Sequence, residues 1–90
     1  MKAWQFIEKG WVQNDAAVDK ENNPVSFNSK KAVAWCVYGA ILAAYAPDRD
    51  KVFTMSDKIE RLVGGFFIEW NNKKGQTQAN VLRVLKKADI

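Results

Sequence analysis

The sequence predicts a compact all-α single domain, residues 1–90, built as a bundle of about four helices. Three observations lead to this prediction. An uncharged stretch runs over residues 32–46, other segments carry apolar residues at helical spacing, and glycine or proline separates these segments. Ninety residues are enough to bury one modest hydrophobic core but not two. The uncharged stretch is therefore expected to be the centre of that core.

The first helix is predicted over Ala3–Lys9, where apolar side chains recur within two turns. Gly10 follows and is typical of the C′ position that ends a helix. Trp11 comes next and is expected to fold back on the last turn as the apolar partner of that ending.

A long polar connection over residues 11–28 separates the first helix from the central one. A connection of this length in a small domain is usually functional or internally structured. Its β-prone ends, Trp11-Val12 and Val25-Ser26-Phe27, enclose the turn-rich segment Asp19–Pro24. This arrangement predicts a short β-hairpin within the connection.

The central helix is predicted over about residues 30–45, with Asn28 or Ser29 as its N-cap and Pro47 as its stop. A helix that is apolar on every side is buried in protein or lies in lipid. The uncharged stretch would be only roughly 22 Å long, short of the roughly 30 Å hydrocarbon core of a bilayer. We therefore expect a buried core helix and no membrane partner.

Helix three is predicted to begin near Ser56-Asp57, after an exposed linker at Asp48–Lys51. Gly64-Gly65 would cost roughly 2 kcal/mol inside a helix, relative to alanines. The helix is therefore expected to end or kink there, and Phe66–Trp70 to form a separate turn.

The last helix is predicted over Gln78–Ala88 with Thr77 as its N-cap. Val81, Val84 and Leu85 share one face of this helix, which is typical of an amphipathic surface helix.

The basic excess of the chain lies in residues 71–90, since the net charge is +4 and this segment carries five bases against the acid Asp89. The bases are Lys73, Lys74, Arg83, Lys86 and Lys87. A solvated helix face and loop explain them, and a nucleic-acid-binding surface is the alternative. The solvated face is favoured because no aromatic residues for base stacking interleave with these bases.

Several short motifs occur in a characteristic order along the chain. They are Gly10-Trp11, Pro24-Val25-Ser26, Ala32-Val33-x-Trp35-Cys36-x-x-Gly39-Ala40-Ile41, Trp70-Asn71-Asn72, Thr77-Gln78 and Val81-Leu82. In these motifs the chain resembles a small family of uncharacterised bacterial and phage proteins, a domain of unknown function. Asn72 and Gln76 stand where that family pattern has aspartate and arginine, which removes a possible Asp–Arg pair. The resemblance implies a phage or mobile-element origin and supplies no activity.

Catalytic and metal-binding chemistry is restricted by the absence of histidine and the presence of one cysteine. Ser-His and Cys-His nucleophile pairs, imidazole-dependent zinc sites and thiolate-rich metal sites are all excluded. Cys36 is expected about two turns inside an apolar helix, as an inert core residue. Asp15, Asp19 and Glu21 do not match a calcium-loop spacing. No enzyme activity, cofactor or metal is expected.

Four residues are candidates for binding a protein or small ligand, namely Trp35, Cys36, Trp70 and Asn71. They form either a structural junction between the last two helices or a rim of aromatic and amide groups around a pocket. The leading hypothesis is a small non-enzymatic interaction protein, phage- or mobile-element-encoded, that binds a host or bacterial protein. Nucleic-acid binding and a small-ligand pocket near Trp35 and Trp70 are the alternatives. The single cysteine and the lack of a secretion signal favour the cytoplasm.

Overall fold

Five helices and three short strands make up the protein, and the computed structural model describes residues 1–90. The helices are α1 (Ala3–Lys9), α2 (Val37–Tyr45), α3 (Arg49–Val63), α4 (Phe67–Asn72) and α5 (Gln78–Lys87). The strands are β1 (Ala17–Val18), β2 (Pro24–Val25) and β3 (Ala34–Trp35). The fold is mostly helical, as predicted, but a small sheet means that it is not purely all-α.

The three strands form an antiparallel sheet in the order β2-β1-β3. Ala17 pairs with Val25 on one side and with Trp35 on the other. The predicted hairpin is therefore present, but Trp11-Val12 is not one of its strands, since Trp11 forms a bridge with Trp35. The turn between β1 and β2 is closed by Asp19, whose Oδ1 accepts hydrogen bonds from two nearby backbone N–H groups, 3.0 and 2.9 Å away.

The central helix begins at Val37, so the prediction of a helix from about residue 30 was wrong at its N-terminal end. Ala34 and Trp35 are extended because they pair with Val18 and Ala17 of strand β1, and the preceding Val33 N–H donates to the Val18 carbonyl (2.9 Å). Ser29 caps no helix and instead accepts from the Lys31 N–H within a turn. An uncharged run suits a buried strand as well as a buried helix, which is why the pattern did not separate them.

Helix α3 begins seven residues before the predicted start at Ser56, and the predicted linker at Asp48–Lys51 is its first turn. Asp48 is the N-cap, and its side chain accepts from the Lys51 N–H at 3.1 Å. The alternating charges there are exposed helix positions, with Asp50 placed favourably near the positive end of the helix dipole.

Two glycines end helices in different ways. Gly64 terminates α3 in the left-handed conformation at φ 78°, which confirms the predicted break, and α4 follows as the predicted separate turn. Gly10 ends α1 as predicted, but with an extended φ of 178° and not in the left-handed conformation typical of a C′ glycine. Glycine is required at position 10 because a Cβ there would lie 2.2 Å from the Val33 carbonyl oxygen.

A single hydrophobic core draws on all five helices and on the sheet. Its fully buried side chains include Ile7 of α1, Ile41 of α2, Ile59 of α3 and Leu85 of α5. The predicted cap of α5 is confirmed, since the Thr77 hydroxyl accepts from the Asn80 N–H at 3.1 Å. No helix has both the length and the apolar character needed to cross a bilayer.

Candidate functional site

A largely apolar surface groove lies between α2, α3 and α4 and has a volume of about 720 Å³. We call it the aromatic groove. Its walls are mainly hydrophobic side chains from the three helices, with Arg49 and Ser56 as its polar members. The lining residues are Tyr38, Leu42, Ala46, Pro47, Arg49, Val52, Phe53, Ser56, Phe66, Phe67 and Ile68.

Two phenylalanines of the aromatic groove project into solvent. Phe53 on α3 is 74% exposed and Phe66 before α4 is 70% exposed, while Phe67 beside it is buried. Tyr38 and Ile68 add further exposed apolar surface. Singly exposed apolar residues are common on proteins, but a contiguous group around a concave surface is typical of a binding site.

Local structure explains why the two rings stand out. Phe53 lies one turn after the Asp48 cap of α3, away from the buried face marked by Ile59. Phe66 follows Gly64 and Gly65 and is the N-cap residue of α4, with no side-chain cap hydrogen bond. The Phe67 N–H instead donates to Glu60 Oε2 at 3.3 Å, which ties the start of α4 to α3.

The predicted site residue Asn71 is almost fully buried and holds three segments together. Its Oδ1 accepts from Trp11 Nε1 at 2.8 Å and from the Val37 N–H at 3.0 Å. Its Nδ2 donates to the Val12 carbonyl at 3.3 Å and to Asn72 Oδ1 at 2.8 Å. Asn71 thus joins α4 to the start of α2 and to the segment after α1, and we call this set of bonds the Asn71 junction.

The two predicted tryptophans are also occupied by contacts within the fold. Trp35 is buried, donates from Nε1 to the Phe27 carbonyl at 3.0 Å, and packs edge-on against Phe6 with ring centroids 5.0 Å apart. Trp70 is half-buried against the core, and its carbonyl accepts from Gln76 Nε2 at 2.8 Å.

Cys36 is the N-cap of α2 and does not lie inside the helix as expected. Its Sγ accepts from the Gly39 N–H at 3.3 Å, and the residue is buried. Burial raises the pKa of the Cys36 thiol and outweighs the backbone hydrogen bonds that lower it. Cys36 lines a cavity of about 130 Å³ that none of Trp35, Trp70 and Asn71 reaches. The four candidates therefore do not surround a common pocket.

The five basic candidates for nucleic-acid binding all lie on the surface, in the turn after α4 and on α5. Two of them make local side-chain contacts. Lys86 pairs with Glu8 at 3.4 Å and lies 4.8 Å from the Trp4 ring centroid, and Arg83 donates to Asn80 at 2.6 Å. Lys73, Lys74 and Lys87 are exposed.

The aromatic groove was not predicted from the sequence. Asp48–Lys51 was assigned to a linker, so Phe53 was not placed on a helix face. The signal available in the sequence was Phe53, an aromatic residue that the apolar stripe of helix three does not include. No group of three or more histidine, cysteine or acidic residues is placed to hold a metal ion.

Comparison with known proteins gives one match. A model of DUF6197, described as a family of unknown function, matches residues 2–89. No curated protein and no solved structure matches the chain. Because the matched segment spans nearly the whole sequence, the chain belongs to the DUF6197 family.

Proposed function

We propose that this chain is a small, non-enzymatic, cytoplasmic interaction protein that binds another protein through the aromatic groove. The observation that carries the proposal is the exposure of Phe53 and Phe66 at the edges of an apolar concavity. Together the two rings leave on the order of 300 Å² of apolar surface in water. Covering that area with a partner would contribute about 7 kcal/mol to the free energy of binding. The entropy lost on association is subtracted from this figure.

The state of Cys36 supports the non-enzymatic and cytoplasmic parts of the proposal. The buried thiol holds its proton, whereas a nucleophilic cysteine needs a thiolate at an accessible position. A single free cysteine also suits a reducing compartment. The phage or mobile-element origin remains a prediction that rests on the resemblance described above.

Capture of partners from a bacterial lysate tests the proposal. Tagged wild-type protein is compared with Phe53→Glu, which places a charge in the groove, with and without nuclease treatment and at two salt concentrations. The matched control is Leu62→Glu, which alters an exposed apolar residue of the same helix (55% exposed) that does not line the groove. We expect a protein that is retained by the wild type and the control and is lost with Phe53→Glu.

Two results would contradict the proposal. One is equal recovery of the same proteins by both variants. The other is recovery of nucleic acid alone, lost as salt rises, which would favour the alternative surface formed by Lys73, Lys74, Arg83, Lys86 and Lys87.

A further inference from the structure

We propose that a second copy of this chain occupies the aromatic groove, with the two α3 helices packed antiparallel across a twofold axis. This inference rests on the proposed function, because it takes the groove as a protein-binding surface and names the protein. Four residues of α3 carry the argument, and we call Arg49, Phe53, Ser56 and Glu60 the α3 stripe.

The α3 stripe follows one face of the helix. Its members are spaced by four, three and four residues, which places them in line along an α-helix. Arg49, Phe53 and Ser56 line the groove, and Glu60 contacts the backbone of Phe67 at the α4 end. The stripe thus has a cation at one end, an anion at the other, and a large and a small side chain between them.

This spacing is self-complementary in an antiparallel pair. A twofold axis midway between Phe53 and Ser56 brings each Phe53 opposite Ser56 of the second copy, so that the protruding ring meets a small side chain. The same axis brings each Arg49 opposite Glu60 of the second copy. An isologous interface needs one patch that complements itself, and the α3 stripe meets that need in both shape and charge.

The two charged ends of the stripe are available for such pairs. The ion pairs within the chain are Lys2–Asp89, Asp57–Arg61 and Glu8–Lys86, and none includes Arg49 or Glu60. Arg49 is exposed, and Glu60 is partly buried with one carboxylate oxygen on the Phe67 N–H. Opposite charges at the rim of an interface fix its register.

The area of the groove indicates a weak dimer. In a twofold interface both copies bury the same apolar patch, so the Phe53 and Phe66 side chains of the two copies together bury on the order of 600 Å². If polar groups at the rim bury about the same area, as is typical of non-obligate interfaces, the total is roughly 1,200 Å², the lower end of specific interfaces. We therefore expect reversible association with a Kd on the order of micromolar.

Sedimentation equilibrium of the untagged protein over a wide concentration range tests the inference. The wild type and Leu62→Glu should form the same dimer. Phe53→Glu should raise the dimer Kd by at least about thirtyfold, the loss typical of a central aromatic residue. Arg49→Glu should raise the dimer Kd by about tenfold. This variant should stay folded, because an acidic residue in the first turn of α3 interacts favourably with the helix dipole.

Mixing two charge variants gives the sharper test. Arg49→Glu and Glu60→Arg each place like charges opposite each other in their own dimers. In a mixed dimer both pairs again join opposite charges. We expect the mixture to associate at least about tenfold more tightly than either variant alone, with circular dichroism confirming that each is folded.

The inference is overturned if the wild type stays monomeric, if Phe53→Glu and Leu62→Glu dimerise equally, or if folded charge variants gain nothing on mixing. Should Glu60→Arg unfold because its contact with Phe67 is lost, the single variants Phe53→Glu and Arg49→Glu decide the matter. A monomeric wild type that still captures a different protein through Phe53 would refute self-association and leave the proposed function standing.

Discussion

Replacing Asn71 with alanine removes the one side chain that satisfies buried groups from two other segments and should destabilise the fold strongly. The Val37 N–H is buried at the start of α2, and it loses its acceptor, as does Trp11 Nε1. The Val12 carbonyl loses its donor. A buried group left without a partner costs about 1–3 kcal/mol, and water can reach the half-buried Trp11. We therefore expect Asn71→Ala to lower the free energy of unfolding by about 3 kcal/mol in total.

Asn72→Ala is the matched control, because it removes the same side chain from the next position. Asn72 is only half-buried, and it accepts from the Asn14 N–H and from Asn71. Water can replace it, so the expected cost is below about 1 kcal/mol.

Urea unfolding followed by tryptophan fluorescence measures both free energies of unfolding. In a thermal melt, the expected loss for Asn71→Ala corresponds to a fall of about 12–24 °C in Tm for a domain of this size. The reasoning is refuted if Asn71→Ala costs no more than Asn72→Ala.

Three further predictions concern α2 and its cap. Gly39→Ala should lower the free energy of unfolding in urea by about 3 kcal/mol, because the added Cβ would lie 1.8 Å from the Ala16 carbonyl oxygen. The control Gly65→Ala should change this free energy little, because a Cβ there meets open space. Cys36 should react with thiol reagents only when the protein unfolds; rapid labelling of folded protein would contradict its burial. Because its folded pKa is raised, the unfolded chain releases the thiol proton first. The free energy of unfolding should therefore fall from about pH 8.5 upward in the wild type, and more steeply than in Cys36→Ala.

The helices with clear end signals were predictable from the sequence. Thr77 caps α5 and Gly64 ends α3 because both signals act through backbone geometry within one turn of their own position. The starts of α2 and α3 were not predicted correctly. Residues 33–35 take their conformation from pairing with β1, a contact that no local pattern encodes. Asp48 is as good a cap as Ser56, and the pattern gave no reason to choose between them.

The aromatic groove could not be predicted for a related reason. The break at Gly64-Gly65 and a separate turn over Phe66–Trp70 were predicted, but not which rings of that turn are exposed. Phe66 lies in solvent and Phe67 lies in the core because of the way α4 packs against α2 and α3, which sequence spacing cannot indicate. Asn71 was singled out in the sequence beside Trp70, as a binding candidate or as part of a junction between the last two helices. Its hydrogen bonds reach residues 34 to 60 positions away, which sequence spacing cannot indicate.

The Asn71 junction also affects how the protein opens. The Val37 amide lies at the first position of α2, where helix ends normally fray, yet its hydrogen bond runs to a side chain of α4. It can exchange with solvent deuterium only when α4 separates from α2. That separation also releases the indole of Trp11 and exposes the core residue Phe67. The start of α2 is therefore coupled to opening of a large part of the domain, and its amide should be among the slowest to exchange.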